Sequence, residues 1–171
     1  QNVYDGAGNI IKTIDPLTQT TTYAFDDAGL LTQTIDPNGT TTKKVYDADG
    51  NVIKTIDGRT LTTTYSFDDG NRLTQTIDPG TFTTKEAYDA AGNVTQTIDA
   101  DGTTTVYAYD NDGRVTLTTL TKGLLSVSTQ DSYDAVGNLA QEIDPLGETL
   151  NYSYRSFAAT EDWMADLQMA A

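Results

Sequence analysis

Apolar and polar residues alternate along most of the chain in short segments, most of which are followed by an aspartate. Segments such as Thr20–Phe25 and Leu31–Ile35 are rich in β-branched and aromatic side chains and have the length of ordinary strands. Gly, Pro, Asp and Asn separate these segments, and these residue types favour tight turns. The pattern therefore predicts many short strands joined by turns, with little helix.

An aromatic residue followed by aspartate opens a turn at regular intervals. The spacing is 21 residues, except for 24 residues between Tyr109 and Tyr133, and Tyr154 continues the series without its aspartate. A fixed period of this length is typical of repeat architectures, in which each unit packs only on its neighbours. We assign structural roles in the repeat to the aromatic residues Tyr4, Phe25, Tyr46, Phe67, Tyr88, Tyr109, Tyr133 and Tyr154 and to the turn glycines Gly8, Gly29, Gly50, Gly92, Gly113 and Gly137.

A second turn follows in each unit, because the strand after the aromatic turn ends in Ile-Asp before Pro or Gly. Ile14-Asp15-Pro16 and Ile56-Asp57-Gly58 are examples. Each unit is thus predicted to be a strand, an Asp-x-x-Gly turn, a second strand and an Asp-Pro-x-Gly turn.

Strand periodicity predicts which side chains share a face of the sheet. Successive side chains point to opposite faces, so Leu73, Gln75 and Ile77 are expected together on one mostly apolar face. The residue two positions before the turn aromatic alternates between tyrosine and a charged residue, which gives a longer period, near 42 residues. Our hypothesis is that alternate hairpins line opposite sides of the assembly. Tyrosine and charge alternate at this position: Tyr23, Lys44, Tyr65, Glu86, Tyr107, Asp131 and Tyr152.

The amino-acid composition excludes several classes of function. The chain has 25 acidic and 10 basic residues, a net charge of −15, so a polyphosphate partner would be repelled and no nucleic-acid partner is expected. Histidine and cysteine are absent from the sequence, which removes the imidazole base, thiol nucleophiles and His or Cys metal sites. No segment approaches the ~20 apolar residues of a membrane span. No catalytic residues, enzyme activity or cofactor are predicted.

Calcium is the one metal for which the sequence offers candidates. Three turns place aspartates at alternate positions, as the opening of a calcium loop does, but none continues to a third ligand and a bidentate glutamate. The alternative is that each aspartate caps its own turn while glycine takes the positive φ. We favour this turn role. The weak calcium candidates are Asp47, Asp49, Asp99, Asp101, Asp110 and Asp112.

The repeat stops after Tyr154, and a different pattern follows. Thr160 is an N-cap residue followed by two acids, and Trp163, Met164 and Leu167 have helical spacing. The sequence predicts a short helix from about Thr160 to Ala170. A helix this short is marginal alone, so Trp163, Met164 and Leu167 are expected to pack either on the last hairpin as a cap or on another chain.

These residues bear a resemblance to a known family. The segment from Gly102 to Val115, which contains Tyr107-Ala108-Tyr109-Asp110 and Gly113-Arg114, resembles the YD repeat, also called the Rhs repeat. The resemblance covers roughly residues 3 to 155. In that family, which includes Rhs toxins, insecticidal toxin-complex shells and teneurins, many hairpins join into a spiralling sheet. The chain differs in having Asn in place of the usual Arg after the turn glycine, at Asn9, Asn51, Asn93 and Asn138, and in having too few units to close a shell.

The predicted architecture is all-β, a repetitive array of antiparallel β-hairpins over residues 1–156, followed by a helical cap or assembly segment at 157–171. The resemblance implies a non-catalytic, secreted or cell-surface scaffold, either part of a shell or a self-associating fibre. The expected partners are other copies of the chain or adjoining YD repeats. The alternative is a cell-surface adhesin that binds glycans through threonine-rich strands.

Overall fold

In the computed structural model, which describes residues 1–154, the chain forms one antiparallel sheet of 15 strands. The strands lie in the sheet in the order in which they occur in the chain, so every pair is joined by a turn. The strands are β1 (Asn2–Tyr4), β2 (Ile10–Ile14), β3 (Thr20–Phe25), β4 (Leu31–Ile35), β5 (Thr41–Tyr46), β6 (Val52–Ile56), β7 (Thr62–Phe67), β8 (Leu73–Ile77), β9 (Thr83–Tyr88), β10 (Val94–Ile98), β11 (Thr104–Tyr109), β12 (Val115–Lys122), β13 (Leu125–Tyr133), β14 (Leu139–Ile143) and β15 (Thr149–Asn151).

The prediction of an all-β array of antiparallel hairpins is confirmed, and its strands coincide with the predicted segments Thr20–Phe25 and Leu31–Ile35. The predicted helix near Thr160 to Ala170 lies outside the described residues. Within residues 1–154 no helix has the length and apolarity needed to cross a membrane.

The sheet has no enclosed core. No hydrophobic side chain in the described part of the chain is fully buried, and each strand contacts only the strands before and after it. The stabilising contacts are therefore cross-strand pairs on the two faces, each contributing ~0.2–1 kcal/mol.

A β-bulge near each aromatic turn corrects the predicted face assignment. Phe67 pairs with Leu73 while Ser66 pairs with Gln75, so Thr74 is an additional residue in its strand. Since directly opposed residues share a face, Leu73 lies on the face of Phe67, and Gln75 and Ile77 lie on the other. The expectation that Leu73, Gln75 and Ile77 share a face is wrong, because strict alternation does not survive a bulge.

The register defines two faces. The ring face carries the turn aromatics and their Leu, Val or Ile partners, as in the pair Phe67 and Leu73. The ladder face carries Ile, Gln, Lys and Thr, as in the pair Lys43 and Ile56. Tyr23 and Lys44 both lie on the ring face, so the hypothesis that alternate hairpins line opposite sides is wrong. The pattern of exposed and half-buried residues along a strand nevertheless repeats every two hairpins. It is the same in β3 and β7, and the same in β5 and β9.

The 24-residue interval before Tyr133 comes from one longer hairpin. Strands β12 and β13 have 8 and 9 residues, and Lys122 pairs with Leu125 across a two-residue turn. Leu124 at the tip is fully exposed. The extra residues lengthen this hairpin without changing which face the rings occupy.

Candidate functional site: the turns and the ring face

One aspartate organises each turn of the sheet except the one between β12 and β13. In the turn from Asp47 to Asn51, the Asp47 N–H donates to the Asn51 carbonyl at 3.0 Å, and Asp47 Oδ1 accepts the N–H groups of Asp49 at 3.0 Å and Asn51 at 2.9 Å. All connections except the one between β12 and β13 use this backbone arrangement. Their aspartates are Asp5, Asp15, Asp26, Asp36, Asp47, Asp57, Asp68, Asp78, Asp89, Asp99, Asp110, Asp134 and Asp144.

The residue three positions after each turn aspartate has a positive φ. The six predicted turn glycines have φ between +77° and +94°, a region that glycine adopts without steric cost. In four turns another residue occupies this position, and three of these residues are β-branched. Sequence reasoning missed them because it assigned the position to glycine: Thr18, Thr60, Asn71 and Thr81, with φ between +59° and +67°.

The residue after the positive-φ position binds the second carboxylate oxygen at most aromatic turns. Asn51 Nδ2 donates to Asp47 Oδ2 at 3.0 Å, and Arg114 Nε donates to Asp110 Oδ2 at 2.7 Å. The Asn residues that depart from the family pattern thus make the same bond to the turn as the Arg residues do. The Asn51 side-chain bond and the backbone N–H groups hold the pKa of Asp47 below its ordinary value.

Arg72 and Arg114, which follow the positive-φ position of their turns, also reach the next hairpin. The Arg72 guanidinium lies 4.7 Å from the centre of the Tyr88 ring, and Arg114 lies 4.7 Å from that of Tyr133, both within cation–π range. Arg72 Nη1 also donates to the Asp89 carbonyl at 2.9 Å. Arginine therefore connects consecutive aromatic turns, and Asn51 does so by a different bond, since its Nδ2 donates to Asn71 Oδ1 of the next aromatic turn at 2.8 Å.

The ring-face tyrosines join one hairpin to the preceding one. Their hydroxyls donate to the carbonyl of the first residue of an earlier even-numbered strand. The bonds are Tyr46 to Leu31 at 2.7 Å, Tyr88 to Leu73 at 2.9 Å, Tyr109 to Val94 at 2.6 Å and Tyr133 to Val115 at 2.8 Å. Burial raises the pKa of Tyr46 and Tyr109. Phe25 and Phe67 occupy the same register without a hydroxyl, pairing with Leu31 and Leu73.

The terminal members of the aromatic series are the most exposed. Tyr4 is 55% exposed and Tyr154 is 56% exposed, whereas Tyr46 and Tyr133 are half-buried. Each interior ring has a hairpin on both sides, so the described aromatic residues form one row across the sheet.

The carboxylates of five of the six calcium candidates, all except Asp49, are engaged by groups of the protein itself. Asp110 binds Arg114, Asp112 binds the same guanidinium at 2.9 Å, and Asp101 pairs with Lys122. Asp49 and Asp99 belong to separate turns, at opposite ends of the strands. Within residues 1–154, no three acidic side chains come together in a way that would hold a metal ion. The predicted cap residues Trp163, Met164 and Leu167 lie outside the described residues.

The two faces differ in charge, which strand periodicity alone did not reveal. Among the strand residues of β1 to β15, the ladder face carries lysines but no carboxylate, while Glu86, Asp131 and Glu142 lie on the ring face. Most of the acidic residues lie in the turns. The ladder-face lysines are Lys12, Lys43, Lys54 and Lys85.

The fold is similar to parts of much larger proteins of known structure. One is in the Tc holotoxin pore of Photorhabdus luminescens with a mutated TccC3, at 20% identity and a TM-score of 0.59. Another is in the crystal structure of TcdB2-TccC3-Cdc42, at 21% identity and a TM-score of 0.58. In each case the match covers 88% of this chain and 9% of the other. No curated protein sequence matches significantly.

A family profile also matches the sequence directly. The profile described as RHS Repeat matches residues 4–41, 46–83 and 88–124. The three matches begin 42 residues apart, and each spans two aromatic turns of the sheet, at Tyr4 and Phe25, at Tyr46 and Phe67, and at Tyr88 and Tyr109. These matches cover more than half of the sequence, and the chain therefore belongs to the Rhs-repeat family.

Proposed function

We propose that this chain is a non-catalytic scaffold and forms a segment of the wall of an extracellular shell. The observation that carries the proposal is the form of the sheet: within residues 1–154, fifteen strands lie in chain order with solvent on both faces and no enclosed core. A sheet of this kind separates two spaces, and it is extended by adding hairpins at its ends. The similar Tc structures support this role, since the chain spans 9% of the length of each matched chain.

The proposal that the chain lacks catalytic activity rests on how its carboxylates are used. The turn aspartates accept backbone N–H groups, as Asp89 does from Asn93 at 2.9 Å, and most also bind an Asn or Arg side chain. The same arrangement recurs along the sheet, whereas an active site requires one distinct set of groups.

Electron microscopy of the purified chain tests the scaffold proposal against self-assembly. A wall segment is expected to give short, curved, monodisperse particles of one chain. Long filaments at the same protein concentration would contradict the wall segment and favour a self-associating fibre. Dilution series by light scattering provide the control, because a fibre dissociates on dilution and a single-chain particle does not.

A glycan-binding adhesin is the second candidate, and one observation favours it. A shallow apolar groove of about 340 Å³ on the ring face is lined by Tyr65, Phe67, Val52 and Leu73, with Lys44 at its side. Aromatic rings beside a polar group offer the apolar face and the hydrogen bonds that a sugar needs. A glycan array tests this: binding that Tyr65→Ala abolishes would support the adhesin, and a blank array would contradict it.

A further inference from the structure

The last described hairpin departs from the others at one ring-face position. Leu150 on β15 pairs with Glu142 on β14, whereas the corresponding pair in the preceding hairpins is two threonines, such as Thr118 and Thr129. The threonines at the position of Leu150 are Thr21, Thr42, Thr63, Thr84, Thr105 and Thr129. Leu150 is 56% exposed. An apolar residue has therefore replaced a polar one where the described sheet gives it little cover.

Among residues 1–154, no strand follows Tyr154 to cover its ring as the preceding rings are covered. Tyr133 pairs with Leu139 on the following strand and stacks on Arg114. After Tyr154 the sequence has Arg155 at the place of the turn aspartate and Ala158 at the place of the turn glycine. Arg155 has no carboxylate for an Asp-centred turn, so the sequence predicts no further hairpin of the same kind here.

We propose that the segment 157–171 docks on the ring face at Leu150 and Tyr154 and takes the place of the missing hairpin. This segment contains the only tryptophan of the chain and both methionines, among them Trp163 and Met164. Trp163 follows Tyr154 by nine residues, and a chain of this length reaches up to ~30 Å when extended. Leu150 is four residues from Tyr154, ~13 Å along a strand, and lies within that reach.

Trp163 reports on its own surroundings, since the fluorescence of the sole tryptophan needs no label. In the whole chain we expect blue-shifted emission and slow quenching by acrylamide, compared with the chain unfolded in urea. Leu150→Thr restores the residue that the other hairpins carry, so the sheet is expected to fold. In this variant, emission and quenching should move to the values of the unfolded chain. Leu17→Thr is the matched control, because Leu17 is also exposed and lies at the other end of the sheet.

Two results would overturn the inference. One is Trp163 emission in the unmodified chain that already equals that of the unfolded chain. The other is an emission that Leu150→Thr and Leu17→Thr change equally. Circular dichroism of both variants shows that the sheet is retained, and a blue shift that disappears on dilution would assign the contact to a second chain and contradict docking within one molecule. The outcome is independent of the scaffold proposal, which concerns the whole sheet.

Discussion

At the scale of single residues, the turn aspartate is the group on which the sheet depends most often. At most turns its Oδ1 accepts two backbone N–H groups, as in Asp47, and at most aromatic turns its Oδ2 accepts a side chain, as in Asp89 with Asn93. These bonds are made to the ionised carboxylate, so the pKa of Asp47, Asp89 and Asp134 lies below the ordinary value of 3.8. The Asn side-chain bond is the largest cause in each.

The lowered pKa values predict unfolding in acid. A carboxyl whose pKa is lower in the folded state contributes stability above its unfolded pKa, and this contribution is lost as the pH falls through the folded pKa. We expect the thermal midpoint to be steady from pH 7 to about pH 4.5 and to fall below about pH 4, where many aspartates gain protons together. Circular dichroism melts across this range measure it, and an unchanged midpoint at pH 2.5 would contradict the prediction.

The variant Asp89→Asn distinguishes the stabilising effect of the turn carboxylate from the effect of removing one negative charge. The amide keeps an oxygen for the backbone N–H groups but cannot be ionised, so the variant should be less stable at pH 7 and less sensitive to acid. Asp69→Asn is the control, because Asp69 is an exposed residue at the second position of a neighbouring turn. Equal acid sensitivity of the two variants would show that the turn carboxylate has no special part.

The positive φ of Thr81 indicates backbone strain at this residue. Its φ is +67°, a conformation that a β-branched residue adopts at a cost of ~1–2 kcal/mol. Asn71 occupies the same position in the preceding turn, and Asn tolerates this region well. Thr81→Asn should therefore raise the stability of the chain by ~1 kcal/mol. Urea unfolding measures the change. Gly39→Thr, at an equivalent position with φ of +83°, should lower stability, and an increase there would contradict the argument.

At the scale of the hairpin, tyrosine hydroxyls add directional bonds to a row of rings. Tyr109 donates to Val94 O at 2.6 Å, and the equivalent position in an earlier hairpin holds Phe67, which cannot donate. The Phe rings therefore contribute packing without a hydrogen bond, while the Tyr rings also hold the backbone of the preceding strand.

Exchanging these residues should change stability in opposite directions. Tyr109→Phe removes one hydrogen bond and should cost ~1 kcal/mol, and Phe67→Tyr should add up to a similar amount by donating to Val52 O. Both changes leave the aromatic packing in place. Thermal melts of the two variants and of the double variant provide the test, and destabilisation by Phe67→Tyr would mean that the hydroxyl does not reach the carbonyl.

How far the sequence predicts this fold depends on the range of the interactions involved. Turns and strands such as Thr20–Phe25 are set by neighbouring residues, and they were predicted with their bounds. The position of Leu73 depends on the bulge between two strands, which alternation within one strand does not reveal. The Arg72–Tyr88 contact joins separate hairpins, and Thr81 adopts a φ that its residue type disfavours. The Arg72 contact depends on a neighbouring hairpin, and the φ of Thr81 is held by the hydrogen bonds of the Asp78 turn against the preference of its residue type.

At the scale of the whole molecule, stability is distributed along the sheet. Each strand contacts only its immediate neighbours, and no described hydrophobic side chain is fully buried. The free energy of folding is then close to a sum over hairpins and the interfaces between them. A compact domain behaves differently, since removing a quarter of it destroys the shared core.

Removing two whole repeats tests this property. Deletion of residues 54–95 joins Ile53 to Gln96 and keeps both the strand alternation and the 42-residue period, so the shortened chain should fold and lose stability only in part. Deletion of residues 54–94 leaves one additional residue in the same strand and exchanges the faces of everything beyond it. We expect the first variant to retain the strand signal in circular dichroism and to melt cooperatively, and the second to lose much of both. Equal loss of structure in the two variants would show that the sheet depends on contacts beyond neighbouring strands.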